Sequence, residues 1–299
     1  MRPESKDHPA DEHAQADQRA AGIRNMVASA AGFSLMSLFV KLLGDRLPTQ
    51  EVVLARSLFG LVLTLAFLRR ARVSPLGQRR GLLFVRGVLG TGGLVCFFYA
   101  VMNLPLAEAT VLHYLNPVLT ALFAALFLKE RAGRNLIVSL VLSSVGVLVL
   151  TRPAALFGGA PSELPPLAVG VAILGAVFAA AAYTTVRRLS RTEDPLVIVM
   201  WFPLVAVPLV TPTVVPSFVM PQGTDWLLLL GMGVFTQVGQ VGLTRGLKFL
   251  PAGRAMALSY LQIVFAAVLG ILIFREVPNG WTLAGAALVL TGAWFAKRA

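Results

Sequence analysis

The stretch from Leu104 to Glu130, LPLAEATVLHYLNPVLTALFAALFLKE, returns without a gap 146 positions later as Leu250 to Glu276, LPAGRAMALSYLQIVFAAVLGILIFRE. Ten of its 27 positions are identical. Shared leucine and alanine mean little in so apolar a chain, whereas Pro105/Pro251, Tyr114/Tyr260 and Glu130/Glu276 are rarer coincidences. A match at fixed offset marks two copies of one structural unit, and Gly146 and Gly292 keep the same spacing. Whatever the first copy folds into, the second must be able to form as well.

Each copy carries an apolar run, residues 106–128 and 252–274, long enough at ~1.5 Å per residue to cross a bilayer core of ~30 Å. Hydrophobic residues make up 57% of the chain and charged ones 13%, against roughly 25% charged in a soluble domain. The net charge of +12 would suit nucleic acid on a soluble face, but here the basic residues sit in short loops. The expected partners are therefore a lipid bilayer and a small molecule, and no nucleic acid.

Residues 1–23 are polar and mixed in charge, and they predict a disordered cytoplasmic tail. They lack the short apolar centre of a cleavable signal peptide, and His8 and His13 read as solvated residues. Ten apolar segments follow, at residues 24–44, 50–68, 82–102, 106–128, 134–151, 166–186, 196–214, 225–246, 252–274 and 279–296. The predicted fold is an all-α membrane protein of ten transmembrane helices in two five-helix repeats, residues 24–152 and 166–297.

With the amino terminus inside, 20 lysines and arginines fall on the cytoplasmic side and four outside, Lys41, Arg46, Arg152 and Arg275. Both termini are thus expected in the cytoplasm. Five spans is an odd number, so the second copy must cross in the opposite sense. Inverted repeats are a hallmark of secondary transporters, which hold substrate near the midplane where the halves meet.

Ten spans in two halves, a fourth and a ninth helix each opened by proline and closed by glutamate, and Arg56 in the second span together resemble the EamA-type branch of the drug/metabolite transporter superfamily. The resemblance covers roughly residues 24–297. It implies a secondary carrier of small metabolites in the cytoplasmic (inner) membrane, with a cavity lined by spans 1–4 and 6–9 and with spans 5 and 10 peripheral.

Polar residues inside spans mark candidate lining positions, because hydrocarbon penalises them unless they find partners or face an interior. In span 4, Thr110, His113, Asn116 and Thr120 share one helical face. The repeat places Ser259 opposite His113 and Gln262 opposite Asn116. This stripe reads as cavity wall or as hydrogen-bonding glue between helices. His113 is either a neutral hydrogen-bonding partner or a proton sensor; a metal site would need more ligands than the sequence offers.

Span 8 adds Gln237 and Gln240, and Tyr99, Tyr183 and Tyr260 are candidate rings for a cargo, or packing and interfacial residues. Arg56 lies about five residues inside span 2, where a charge costs roughly 2.5–3.5 kcal/mol on insertion scales. It reads as an anchor for an anionic group such as a carboxylate, or as a snorkelling or structurally paired arginine. Arg86, nearer the cytoplasmic end, is expected to snorkel, and Glu108 is the candidate acidic coupling site beside His113.

Pro117 removes a backbone donor in mid-span and is expected to kink span 4. Span 9 has Ile263 at that position, so the two halves are expected to differ there. The glycines of span 3, Gly87, Gly90, Gly92 and Gly93, are followed by no Gly-Lys-Ser/Thr and read as close helix packing rather than a phosphate loop. Glu130 and Glu276 are expected to pair with nearby bases.

The expected function is export of a small polar or amphipathic metabolite, amino-acid-like or metallophore-type, by alternating access and without a cofactor. Uptake of a metabolite such as riboflavin or S-adenosylmethionine is the same-class alternative. An intramembrane enzyme or a non-transporting receptor is the other class, although His113 has no acid beside it in sequence. A homodimer through peripheral helices is compatible with this plan.

Overall fold

The computed structural model describes residues 9–129, 134–151, 164–250 and 252–297. Among these residues the secondary structure is helical throughout, with no strand. In order, the elements are α1 (Pro9–Leu43), α2 (Thr49–Ala71), α3 (Arg80–Asn103), α4 (Leu106–His113), α5 (Asn116–Leu128), α6 (Arg134–Thr151), α7 (Pro166–Leu189), α8 (Pro195–Val214), α9 (Thr224–Phe249), α10 (Ala252–Ser259), α11 (Leu261–Leu269), a π-helical turn (Gly270–Phe274) and α12 (Gly280–Lys297). Seven helical stretches are long and apolar enough to cross a membrane, and Leu261–Phe274 and Gly280–Gly292 are shorter apolar helices. Large apolar side chains such as Leu126, Phe127, Leu227 and Leu272 are exposed on the outside of the bundle, as a hydrocarbon solvent requires.

The helix boundaries follow local chemistry. The Asp194 carboxylate accepts the Leu196 amide at 2.8 Å and starts α8 at Pro195, a first-turn position where a missing N–H is harmless. Glu193, one residue earlier, accepts the amides of Gln78 (2.9 Å) and Arg79 (2.6 Å) and so satisfies donors at the start of α3. At the other end, Lys129 after α5 and Arg275 after the π turn both adopt left-handed backbone, φ 54° and 56°. They are one offset of 146 apart in sequence.

Two expectations are corrected. The helix begins at Pro9, so residues 9–23, expected as disordered tail, continue α1 as helix. Alanines at positions 10, 14, 16, 20 and 21 are the best helix formers, and they propagate a helix that the apolar segment has already nucleated.

The second correction concerns the two interrupted spans. Tyr114 and Leu115 separate α4 from α5, as Pro117 predicts, but α10 and α11 are also separated, at Tyr260, where no proline follows. A side chain does comparable work at each break. Asn116 Nδ2 donates to the His113 carbonyl (2.7 Å), and Ser259 Oγ donates to the Met256 carbonyl (2.6 Å). Side-chain bonding to carbonyls of the preceding turn competes with the helical ladder and bends it.

Packing joins α1 with α9, α3 with α7, α2 with α8, and α6 with α12. The last pair lies mostly against itself. Gly146 sits so close to the backbone of Gly285 and Val289 that a Cβ there would collide. In α3, Gly87 faces Val205 and the Trp201 carbonyl of α8, while Gly93 meets the α7 backbone at Gly175 and Ala179. These glycines bring backbones together, as small residues do between membrane helices.

Candidate functional site

The interruptions of the two broken helices meet at the centre of the bundle. Tyr114 donates its hydroxyl proton to Gln262 Oε1 at 2.5 Å, and its ring packs against that of Tyr260 with centroids 5.4 Å apart. Ser34 Oγ of α1 donates to the Gln262 carbonyl at 3.3 Å. The free backbone ends that each break creates are thus brought beside polar side chains and an internal space.

That space is a cavity of about 70 Å³, room for a few water molecules. His113, Asn116, Tyr183, Gln240, Gln262 and Arg56, all expected as lining, line it. The His113 ring lies 4.3 Å from that of Phe97, and its Nδ1 has no hydrogen-bond partner. Asn116 spends its amide on the His113 carbonyl.

The remaining candidates lie elsewhere. Tyr260 sits behind Tyr114, and Tyr99 is half-buried at the edge of the core. Gln237 turns away from the cavity, where its Nε2 donates to Thr64 Oγ1 at 2.6 Å and ties α9 to α2. Glu108 is buried against α12, accepting the Thr282 hydroxyl at 2.8 Å, and does not reach the cavity.

Arg86 is the residue the sequence reading missed. It does not snorkel: it is 2% exposed, as is Arg56, and both line the cavity. Their guanidinium carbons lie 4.7 Å and 4.8 Å from the centroid of the Phe202 ring, which places the two no more than 9.5 Å apart. Arg86 Nη2 reaches Gln240 Oε1 at a long 3.4 Å. The signal lay in Gly90, one turn on from Arg86 in α3, where a Cβ would fall on the Arg86 guanidinium and the Phe202 ring. Gly90 clears space for a charge.

No Asp or Glu is found among the described residues that line this cavity. Two cations no more than 9.5 Å apart repel by at least about 2 kcal/mol at an effective dielectric of ~20. Each also carries the roughly 2.5–3.5 kcal/mol penalty of a charge at membrane depth. The ring of Phe202 offsets part of this through cation–π attraction, about 0.5–2 kcal/mol per cation. The balance leaves a cavity that favours negative charge.

Ion pairing occurs instead among residues that do not line the cavity. Lys41 Nζ contacts Glu276 Oε1 at 2.6 Å and donates to the Leu104 carbonyl at 3.3 Å, while Glu276 Oε2 accepts the Leu106 amide at 3.1 Å. The expected pairing of Glu276 is thus with a lysine of α1. Arg187, 146 positions after Lys41, donates Nη1 to the carbonyls of Leu247 (3.1 Å) and Leu250 (3.4 Å) at the end of α9. Glu130 lies outside the described residues.

A family model for the EamA-like transporter family matches residues 20–152 and 166–297. The pseudopaline exporter CntI of Pseudomonas aeruginosa strain UCBPP-PA14 is 37% identical over 271 residues, covering 90% of this chain and 93% of that protein. Human solute carrier family 35 member G1 is 30% identical over 281 residues, covering 90% of this chain and 76% of the human protein. A crystal structure of a protein 24% identical to this chain superposes with a TM-score of 0.66, covering 91% of this chain and 96% of its own, a likeness of fold.

Proposed function

The chain belongs to the EamA-like transporter family, and from that premise we propose that it exports a small polar or amphipathic metabolite of amino-acid-like or metallophore type across the cytoplasmic membrane. The observation that carries this reading is the 37% identity to a pseudopaline exporter over 93% of that protein's length. A central polar cavity with two buried cations supports it.

In this reading the ten helical segments form two inverted five-span copies, residues 24–152 and 166–297, with both termini in the cytoplasm. Support comes from paired contacts. The offset of 146 carries α1 onto α7 and α9 onto α3, so the packing of α1 with α9 and that of α7 with α3 are the same contact made twice. It also carries Lys41 with Leu104 onto Arg187 with Leu250, and each basic side chain donates to its leucine carbonyl.

Transport proceeds by alternating access around the cavity. Cargo contacts come from Arg56, Arg86, His113, Tyr183, Gln240 and Gln262, whose side chains surround it. A cavity of about 70 Å³ is too small for a metabolite of many heavy atoms, so loading requires helices to part. The Lys41–Glu276 contact holds the outer ends of α1 and the ninth span together. Arg187 and, by sequence, Glu130 occupy the matching inner positions.

Metabolites of cells and medium, compared with the gene deleted and then restored, test the direction. A compound that accumulates inside the deletion strain and vanishes from its medium is the expected result. A compound depleted inside and left in the medium would reverse the direction to uptake.

A further inference from the structure

The two arginines of the cavity differ from an arginine that serves structure. Arg187 directs Nη1 at two backbone carbonyls. Arg56 and Arg86, by contrast, each leave Nε and Nη1 buried with no hydrogen-bond partner. The contact Arg86 does make is with a neutral amide oxygen, at 3.4 Å. The ion pairs Lys41–Glu276 and Arg46–Asp225 leave the cavity arginines untouched.

Buried donors that lack acceptors, and buried charges that lack counter-charges, are strongly disfavoured unless a ligand supplies both. Here the deficit is specific: two positive centres, four unpartnered N–H-bearing nitrogens and no carboxylate in the lining. Phe202 contacts both guanidinium groups through its ring and offers neither an acceptor nor a counter-ion. Gly90 keeps the space beside Arg86 open, so the arrangement is built rather than incidental.

We propose that Arg56 and Arg86 form a two-point anion site for a cargo bearing two carboxylates, one received by each guanidinium fork. The assignment rests on the export reading and narrows its cargo to dicarboxylate compounds. A planar carboxylate matches the paired donors of one guanidinium, and Arg–carboxylate contacts are commonly bidentate. Two guanidinium forks, each with Nε and Nη1 unpartnered, match two planar carboxylates better than one tetrahedral ion. Neutral groups around them, Tyr183, Gln240 and Gln262, are available for the polar remainder of the cargo.

The test uses the full-length protein in lipid nanodiscs and three probes: glutarate, its uncharged isostere glutaramide, and inorganic phosphate. Binding is read by calorimetry and by the shift of the melting temperature. The expected result is that glutarate binds and stabilises, that glutaramide does not, and that phosphate binds at least tenfold more weakly than glutarate. R56Q and R86Q should each weaken glutarate roughly tenfold or more, the scale of one lost charge-assisted contact. R56K and R86K keep the charge but lose the fork and should fall between, which separates loss of a contact from loss of folding.

Absence of glutarate binding to the parent protein, equal binding of glutaramide or phosphate, or unchanged glutarate affinity in both glutamine variants would each overturn the dicarboxylate site. The metabolite comparison fails separately. If glutarate binding depends on the arginines while gene deletion moves no compound, the site stands and the export reading falls. If deletion moves compounds but the arginines are silent toward glutarate, the reverse holds.

Discussion

Lys41 Nζ and Glu276 Oε1 lie 2.6 Å apart and join the end of α1 to the segment that follows α11 and its π-helical turn. Both side chains are shielded from solvent over most of their surface, and Glu276 also accepts the Leu106 amide at the start of α4. One carboxylate therefore joins three helical segments.

Transport should depend on that contact. K41A and E276A are expected to slow it several-fold, with E276Q milder because an amide oxygen still accepts from Leu106. A partly shielded pair of this kind is worth about 1 kcal/mol. Charge reversal in both partners, K41E with E276K, should recover part of the rate lost in either reversal alone. Initial transport rates in vesicles check this, and a double variant no better than the single ones would dissociate the pair from gating.

The Tyr114–Gln262 bond ties one helix break to the other. Y114F removes the donor and Q262L the acceptor, and each should destabilise the protein by about 1 kcal/mol. Because both act on one bond, the double variant should lose less than the sum. Melting of the four proteins in nanodiscs measures the coupling; strict additivity would mean that the bond does not link the breaks.

Gly90 and Gly81 give opposite predictions from the same substitution in the same helix. G90A places a Cβ on the Arg86 guanidinium and the Phe202 ring, and it should cut transport tenfold or more while the protein still reaches the membrane. At Gly81 a Cβ meets nothing within 4 Å. G81A should leave transport intact and raise stability by about 0.5–1 kcal/mol, the gain of alanine over glycine in a helix. Transport and melting of both variants check the pair.

Glu108 lies against Thr282, away from the cavity. E108Q retains an oxygen that can accept the Thr282 hydroxyl, so its transport rate and pH profile should match the parent protein. A rate that no longer varies with pH in E108Q would instead make Glu108 a coupling residue.

The sequence exposed the membrane class and the duplication because both are written in many residues at once. A repeated Pro, Tyr and Glu at one offset survives any local error, and hydrocarbon solvent forces long apolar runs. Finer features were legible where a single residue decides them, as Pro117 decides the break after α4. The matching break at Tyr260 was hidden, since no proline follows it and the bond of Ser259 to the Met256 carbonyl resembles those that Ser57 and Thr91 make inside unbroken helices.

Arg86 was hidden for another reason. Position along a span gives depth but not direction, and an arginine near a helix end has enough length either to reach water or to turn inward. Gly90 and the Phe202 ring decide for the inward course, and they come from different helices. The placement of Glu108 was hidden in the same way, because closeness to His113 in sequence does not say which helix the carboxylate meets, and it meets Thr282 of α12. Tertiary packing supplied what local pattern could not.

Everted membrane vesicles test the central claim most directly, because their outer face is the cytoplasmic side and export appears as uptake. With pseudopaline as probe, vesicles containing the protein should accumulate it above protein-free vesicles, and R56Q and R86Q vesicles with equal protein content should not. Accumulation equal to that of protein-free vesicles, or accumulation that both arginine variants leave unchanged, would contradict export of a metallophore-type compound through this cavity.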